Sequence, residues 1–296
     1  MKTSAFLKRI SCPVCGSNSI EEYLNIPFEE VKLIEFISTY YKNRIPKSIF
    51  ENEQFVIHHC NNCTLTFQAR ILKPEYMHQL YDKWICPKES LEKKLNAKHN
   101  IFLAYAIEAK LIANLIKKPN NKIKVLDYGM GWGHWLNMAK AFGYQTTGVE
   151  LSEPRKNYAI KNGHRVLSNI NHNGNYDFIY ANQVFEHIPN PLTTIKELSK
   201  TLSPEGVILL CVPQGNKYAK ISSFSNYQPK KDALHPLEHI NCFNRNSLKL
   251  LGKTSGLRPI QPPFSILSDS ISNYPKSCLR YIYDITISTK ILFKKF

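Results

Sequence analysis

Val125-Leu126-Asp127-Tyr128-Gly129-Met130-Gly131-Trp132-Gly133, followed seventeen residues later by Glu150 in Thr147-Gly148-Val149-Glu150, decides how this chain folds. Ile123 to Leu126 is apolar and partly β-branched, the composition of a buried strand, and Trp132 to Phe142 shows helical spacing. The glycines therefore fall in a strand-to-helix turn, where backbone passes close to a ligand. A dinucleotide fingerprint, G-x-G-x-x-G, would need its third glycine where His134 or Leu136 stands. The pattern is instead D-x-G-x-G-x-G. Asp127 sets a carboxylate at the end of the strand, which repels a pyrophosphate and suits a nucleoside carrying an ammonium and a sulfonium. Glu150 ends the next expected strand, Tyr144 to Val149, and is placed to accept hydrogen bonds from both hydroxyls of a ribose.

These residues resemble the class I S-adenosylmethionine-dependent methyltransferases, over roughly Lys122 to Ile260. The resemblance implies an α/β fold: a doubly wound, mainly parallel seven-stranded (Rossmann-like) sheet that binds S-adenosylmethionine through Asp127, Gly129, Gly131, Gly133 and Glu150. The alternation along the chain agrees with it. Strands are expected at 123–127, 145–149, 164–167, 176–181 and 207–212, and helices at 132–142, 153–162 and 191–202. Ahead of them, apolar residues at near-helical intervals predict one helix from Lys93 to Ile116. In the family, the segment after the fourth strand lies beside the methionine part of the cofactor, which assigns Gln183. Asn169 follows the third strand, either hydrogen-bonding the adenine amine or standing in a solvated loop.

Cys12-x-x-Cys15 and Cys60-x-x-Cys63 each have the spacing that turns two thiolates toward one tetrahedral ion, with Gly16 in the turn behind the first pair. Two such pairs predict a structural zinc site, since four thiolates leave no open position for chemistry. Cys-Pro-Val-Cys-Gly, Leu24-Asn25-Ile26-Pro27 and His59-Cys60-Asn61-Asn62-Cys63-Thr64-Leu65-Thr66-Phe67 resemble the zinc-binding domain fused to bacterial sugar methyltransferases. That resemblance implies a sugar or nucleotide-sugar substrate. The longest members continue into a further carboxy-terminal α/β domain, which this chain is too short to include, so O- and C-methylation both stay open.

Transfer to a hydroxyl, or to a carbon beside a ketone, needs a group that removes a proton, and histidine titrates in the right range. Leu234-His235-Pro236-Leu237-Glu238-His239 lies between the fifth strand and a helix expected at Asn246 to Ser255. The resemblance assigns His239 as general base and Glu238 as the residue orienting it or the substrate, with His235 and His187 in reserve. Pro213 to Lys231 reads as a lid or a loose loop.

The chain has 296 residues, 43% of them hydrophobic, enough for a large core and a smaller module. The expected division is a zinc-binding module at 1–75, a helical connector at 76–121, a cofactor-binding domain at 122–262 and a basic extension at 263–296. The extension has two readings, an amphipathic helix touching an anionic membrane or an ending packed on its own domain. Without a signal-peptide pattern or a long apolar run, the chain is expected in the cytoplasm or peripheral to the inner face of a membrane. A net charge of +16 would favour RNA, yet the lysines are spread thinly rather than clustered. Methylation of a small sugar-like acceptor therefore leads, with RNA methylation and a non-catalytic cofactor-binding scaffold as alternatives.

Overall fold

The computed structural model describes residues 4–218, 227–264 and 274–296. The cysteine-rich part contains β1 (Phe6–Lys8), β2 (Ile20–Pro27), α1 (Val31–Tyr40), β3 (Gln54–Cys60), β4 (Thr66–Gln68) and β5 (Arg70–Leu72). Helices α2 (Pro74–Gln79), α3 (Pro87–Leu95) and α4 (His99–Leu115) connect it to the rest. The single helix expected from Lys93 to Ile116 is thus two, because Lys98 is extended (φ −68°, ψ 153°) and breaks the turn between them.

The alternating part follows: β6 (Lys124–Tyr128), α5 (His134–Ala141), β7 (Gln145–Val149), α6 (Glu153–Lys161), β8 (Arg165–Leu167), β9 (Tyr176–Asn182), α7 (Pro191–Lys200) and β10 (Leu202–Cys211). After these come β11 (Asn241–Cys242), α8 (Arg245–Thr254), β12 (Leu257–Ile260), α9 (Tyr274–Thr286) and β13 (Lys290–Lys295). Seven strands form one sheet in the order β12-β13-β10-β9-β6-β7-β8. Strands β6 to β10 run parallel, and β13 is antiparallel to both of its neighbours.

Both faces of this sheet are covered, so its central strands are apolar throughout instead of alternating. On β9, Phe178 and Tyr180 pack with Ala109 and Ile112 of α4 and with Trp135 and Leu136 of α5. Ile179 and Ala181 point to the other face, with Ile195 and Leu198 of α7 and Leu248 and Leu251 of α8. Cys12, Cys60, Cys63 and Phe67 belong to that second layer, so the cysteine module shares a core with the large sheet. The two halves also share backbone: β11 pairs antiparallel with β4, in a four-stranded sheet ordered β11-β4-β3-β2.

The ending packs on its own domain, the second of its two expected readings. Lys290–Lys295 lies inside the large sheet, where Ile291, Leu292 and Phe293 are buried. Helix α9 packs against the body, its final carbonyls at Asp284 and Ile285 accepting from the Arg245 guanidinium at 3.1 and 2.7 Å. No helix of the described residues is long and apolar enough to cross a membrane. Residues 219–226 of the expected lid and 265–273 of the extension lie outside the described residues.

Candidate functional site

Parallel sheets open their ligand crevice beyond the carboxyl ends of the strands. Here a cavity of about 1420 Å³ occupies that position. Gly129, Glu150, Asn169 and Gln183 line it at the sheet, and Tyr40, Tyr41, Tyr81, Lys231, His187 and Glu238 line it further out.

The nucleoside end is built by the turn after β6. Gly129, Gly131 and Gly133 all have positive φ, at 72°, 56° and 75°. A methyl group on Gly129 would stand 2.6 Å from Val184, whereas one on Gly131 would meet nothing within 4 Å. Gly131 thus leaves open the space that a ligand needs, and its N–H donates to Glu150 Oε2 at 3.0 Å. Glu150 Oε1 accepts from the N–H groups of Leu151 and Ser152, both at 2.9 Å. A carboxylate has about four acceptor directions. Three are used within the protein, which leaves one for a sugar hydroxyl while the turn stands as described.

Asp127 is 3% exposed. Burial first, and then the carboxylates of Glu108 and Glu150, push its pKa well above the ordinary aspartate value, with Lys94 acting in the opposite sense. A buried anion in anionic company is unfavourable until a cation arrives. Asp127, Gly131 and Gly133 are not themselves among the residues lining the cavity, whereas their neighbours Tyr128 and Gly129 are. The ammonium and sulfonium of S-adenosylmethionine would supply a compensating charge, so an acidic, glycine-built crevice of this kind fits that cofactor. Gln183 directly follows β9 in the left-handed conformation (φ 57°), which costs an L-residue roughly 1–2 kcal/mol and is held by its N–H donating to Cys211 O at 2.8 Å. Asn169 is exposed at the rim.

The outer end gathers histidines from two segments. The rings of His187 and His239 have centroids 5.0 Å apart, and those of His235 and His239 5.5 Å. Burial, reinforced by neighbouring imidazoles, lowers the pKa of His187 to about 3 and of His239 to about 4. Burial likewise lowers His235 to about 4. All three are therefore neutral near pH 7. Burial also raises Glu186 to about 8, with Glu238 adding to the effect.

His187 and Glu238 line the cavity, while His239 stands behind His187. Glu238 does not hold His239 through its carboxylate. That carboxylate accepts from the Tyr41 hydroxyl at 2.9 Å, and the carbonyl of Asp232 accepts from His239 Nδ1 instead. Of the two roles expected of Glu238, orienting His239 thus belongs to Asp232, and facing the substrate is the role its position allows.

Several residues that build this end carry no motif. Gln68 Nε2, on β4, donates to the carbonyls of His235 (2.9 Å) and His239 (3.1 Å). Asn241 Nδ2 donates to the carbonyls of Phe185 (3.0 Å) and Ile188 (2.7 Å), on either side of Glu186-His187. Tyr40 and Tyr41 come from the end of α1 in the cysteine module. Only their placement in three dimensions singles them out.

The four cysteines come together as their spacing predicts. Sγ of Cys12 and Cys63 are 3.4 Å apart and those of Cys15 and Cys60 3.5 Å, too far for disulfides. Zinc–sulfur bonds of roughly 2.3 Å at tetrahedral angles place sulfurs about 3.8 Å apart, so the set fits such an ion after a small expansion. The two knuckles repeat one geometry. Gly16 N–H donates to Cys12 O at 2.9 Å and Thr64 N–H to Cys60 O at 2.8 Å, both from left-handed backbone (φ 70° and 61°).

Comparison with known proteins places the larger part of the chain in a family. Residues 98–261, 164 of the 296, match the family model described as a methyltransferase domain. A ubiquinone biosynthesis O-methyltransferase from Haemophilus ducreyi is 29% identical over 103 residues, covering 29% of this chain and 44% of that protein. The chain thus spans less than half the length of that curated relative. Among solved structures, the plantazolicin methyltransferase BpumL, in complex with a pentazolic desmethylPZN analog and SAH, is 20% identical, covers 74% of this chain and 94% of its own, and has a TM-score of 0.49. An S-adenosylmethionine-dependent methyltransferase from Mesorhizobium loti is 16% identical over 65% of this chain and 100% of its own, with a TM-score of 0.45. With more than half of its length in the family model, and with six of the seven strands of the large sheet inside that match, the chain belongs to the methyltransferase-domain family.

Proposed function

We propose that this chain transfers a methyl group from S-adenosylmethionine to a small-molecule acceptor, a sugar or surface-polysaccharide precursor, at a hydroxyl or at a carbon beside a ketone. The observation that carries the reading is the single cavity running from the glycine turn and Glu150 to Tyr40, Tyr41, Tyr81, His187 and Glu238. An aromatic wall with a few polar groups suits a ring that presents C–H on its faces and hydroxyls at its edge. A relative named for O-methylation in ubiquinone biosynthesis adds support for a hydroxyl acceptor.

The bound cofactor supplies a methyl group on a sulfonium, already activated for in-line displacement. What this chain's residues must do is align the acceptor and receive its proton. Glu238, fixed by Tyr41, orients an acceptor hydroxyl. The proton passes to the His187–His239 pair, His187 at the wall and His239 behind it. Carbonyls of Glu238 and Asp232 accept from the two Nδ1 atoms, with the Tyr81 hydroxyl also 3.0 Å from that of His187, which leaves each Nε2 as the acceptor of its ring.

Labelled S-adenosylmethionine incubated with small-molecule extract and with total RNA tests the proposal. Label is expected in the small-molecule fraction. Label in RNA alone, or none in either fraction from protein that binds the cofactor, overturns it. His187→Ala and His239→Ala are each expected to lose roughly 10²-fold in turnover while keeping cofactor affinity.

A further inference from the structure

Glu186 is the most isolated polar side chain near the cavity. It is 1% exposed, and among the described residues neither carboxylate oxygen has a hydrogen-bond partner apart from a weak approach of its own backbone N–H. Carboxylates are not left this way without a reason, because burial strips their hydration and returns nothing. Its nearest charged or ionisable neighbour is His187, whose Nε2 lies 3.8 Å from Oε1. The acid also shares its surroundings with His239: one ligand atom from each of Glu186, His187 and His239 lies within 4.8 Å of the other two.

The imidazoles are turned the way ligands are turned. A carbonyl oxygen can only accept, so His187 Nδ1, 2.8 Å from Glu238 O, carries a proton, and so does His239 Nδ1 against Asp232 O. Each Nε2 is therefore a bare lone pair. Donation of the far ring N–H to a backbone carbonyl is the arrangement that fixes tautomer and orientation in metal-bound histidines. The carbonyls are themselves held. Tyr41 bonds the Glu238 carboxylate, and Asp232 is bonded by Lys217 (2.8 Å), the Tyr218 hydroxyl (2.6 Å) and the Leu234 N–H (2.9 Å).

We propose that Glu186, His187 and His239 form a second metal site, separate from the four cysteines, which takes a divalent transition ion of the zinc or cobalt type. Two imidazoles and one carboxylate are a donor set for such ions, whereas magnesium and calcium favour oxygen. Small side-chain rotations bring the three atoms onto an ion at roughly 2.0–2.2 Å. Three protein ligands leave a coordination position open, and because His187 lines the cavity, that position faces the acceptor. An ion there engages both Nε2 lone pairs, so a loaded chain and a metal-free chain differ in how an acceptor loses its proton. The metal site goes beyond the methyl-transfer reading and does not rest on it; only its bearing on an acceptor's proton does.

The test is a cobalt(II) titration of the zinc-loaded full chain without cofactor or acceptor, followed by visible absorption and calorimetry. Cobalt on thiolates gives an intense near-ultraviolet charge-transfer band, and cobalt on imidazole and carboxylate gives only weaker visible bands, so exchange into the cysteine site is recognised. One further equivalent per chain is expected, without the thiolate band. Its Kd should rise at least about tenfold in Glu186→Gln, which keeps the shape of the side chain, and in His239→Ala. Uptake confined to the thiolate site in the wild type overturns the proposal, as does unchanged affinity in both variants. Should a variant fail to fold, the wild-type stoichiometry and spectrum decide. Neither readout requires methyl transfer, so failure here is distinct from failure of the proposed activity.

Discussion

Arg9 Nη1 donates to Asn241 Oδ1 at 2.7 Å, across 232 residues of chain, between two side chains with almost no exposure to solvent. The other guanidinium bonds go to the carbonyls of Gln68 (2.6 Å) and Ile240 (2.6 Å). The Asn241 amide in turn holds the backbone on both sides of Glu186-His187. One arginine near the first cysteine is thus wired to the histidine wall of the cavity.

Asn241→Ala removes three hydrogen bonds and leaves part of a buried guanidinium without an acceptor. It is expected to cost on the order of 2–4 kcal/mol, read as a lowered denaturant midpoint. At temperatures where the variant is folded, turnover should fall while affinity for S-adenosylhomocysteine stays within about twofold of wild type. An equal loss of both would show that Asn241 supports the whole sheet and not this wall in particular.

Asp127→Asn is expected to move stability and ligand affinity in opposite directions. Burial and the carboxylates of Glu108 and Glu150 disfavour the ionised form in the folded chain, so a neutral side chain should raise the melting temperature of the ligand-free chain. The same change should weaken S-adenosylhomocysteine binding by about tenfold in calorimetry, since the partner of the ligand's ammonium is lost. A variant that melts lower and binds normally would contradict both halves.

Removing metal from the cysteines should reach the cavity. The two cysteine knuckles share a core with α7 and α8, and β4, which follows the second knuckle, holds His235 and His239 through Gln68. Metal analysis is expected to find at least one zinc per chain. Cys60→Ser should lower its content, reduce the melting temperature and impair turnover, with a smaller effect on cofactor affinity.

Asp177 sets an acid limit to stability. Burial raises its pKa, but Lys118 at 2.6 Å, the Lys124 N–H at 3.0 Å and the Ser203 hydroxyl at 3.0 Å outweigh that and hold it below 3.8. Folding therefore favours the ionised form. Its stabilisation is complete above the unfolded value and is lost as pH falls through the lower folded one. Asp177→Asn should cost about 1–2 kcal/mol at pH 7 and flatten the decline of stability below about pH 4, both read from denaturant midpoints across pH.

The sheet and the nucleoside end were legible because their signals are local. A continuous apolar strand such as Ile123–Leu126, a turn that tolerates only glycine, and an acid at the next strand end all lie within about thirty residues. The two Cys-x-x-Cys pairs are legible for the same reason. The histidine wall is only partly so. His187 and His239 stand out as residue types, but nothing in their spacing says that Asp232 holds one ring, or that Gln68 and Asn241 tie their segments to the cysteine module. Such contacts join residues far apart in the chain, through polar side chains that form no periodic pattern. The ending was hard to read for another reason: Lys290–Lys295 has only three apolar residues, Ile291 to Phe293, between lysines, and the strand assignment comes from a gap between two other strands.

That gap has a consequence for how the molecule is assembled. Among the described residues, β12 has one neighbour in the sheet, β13, and β13 is the later of the two to leave the ribosome. The parallel half can settle during synthesis, while Leu257–Ile260 waits beside an uncovered edge of β10. Interrupted translation past Thr286 would leave an adhesive intermediate, and the final six-residue strand is the latch that removes it.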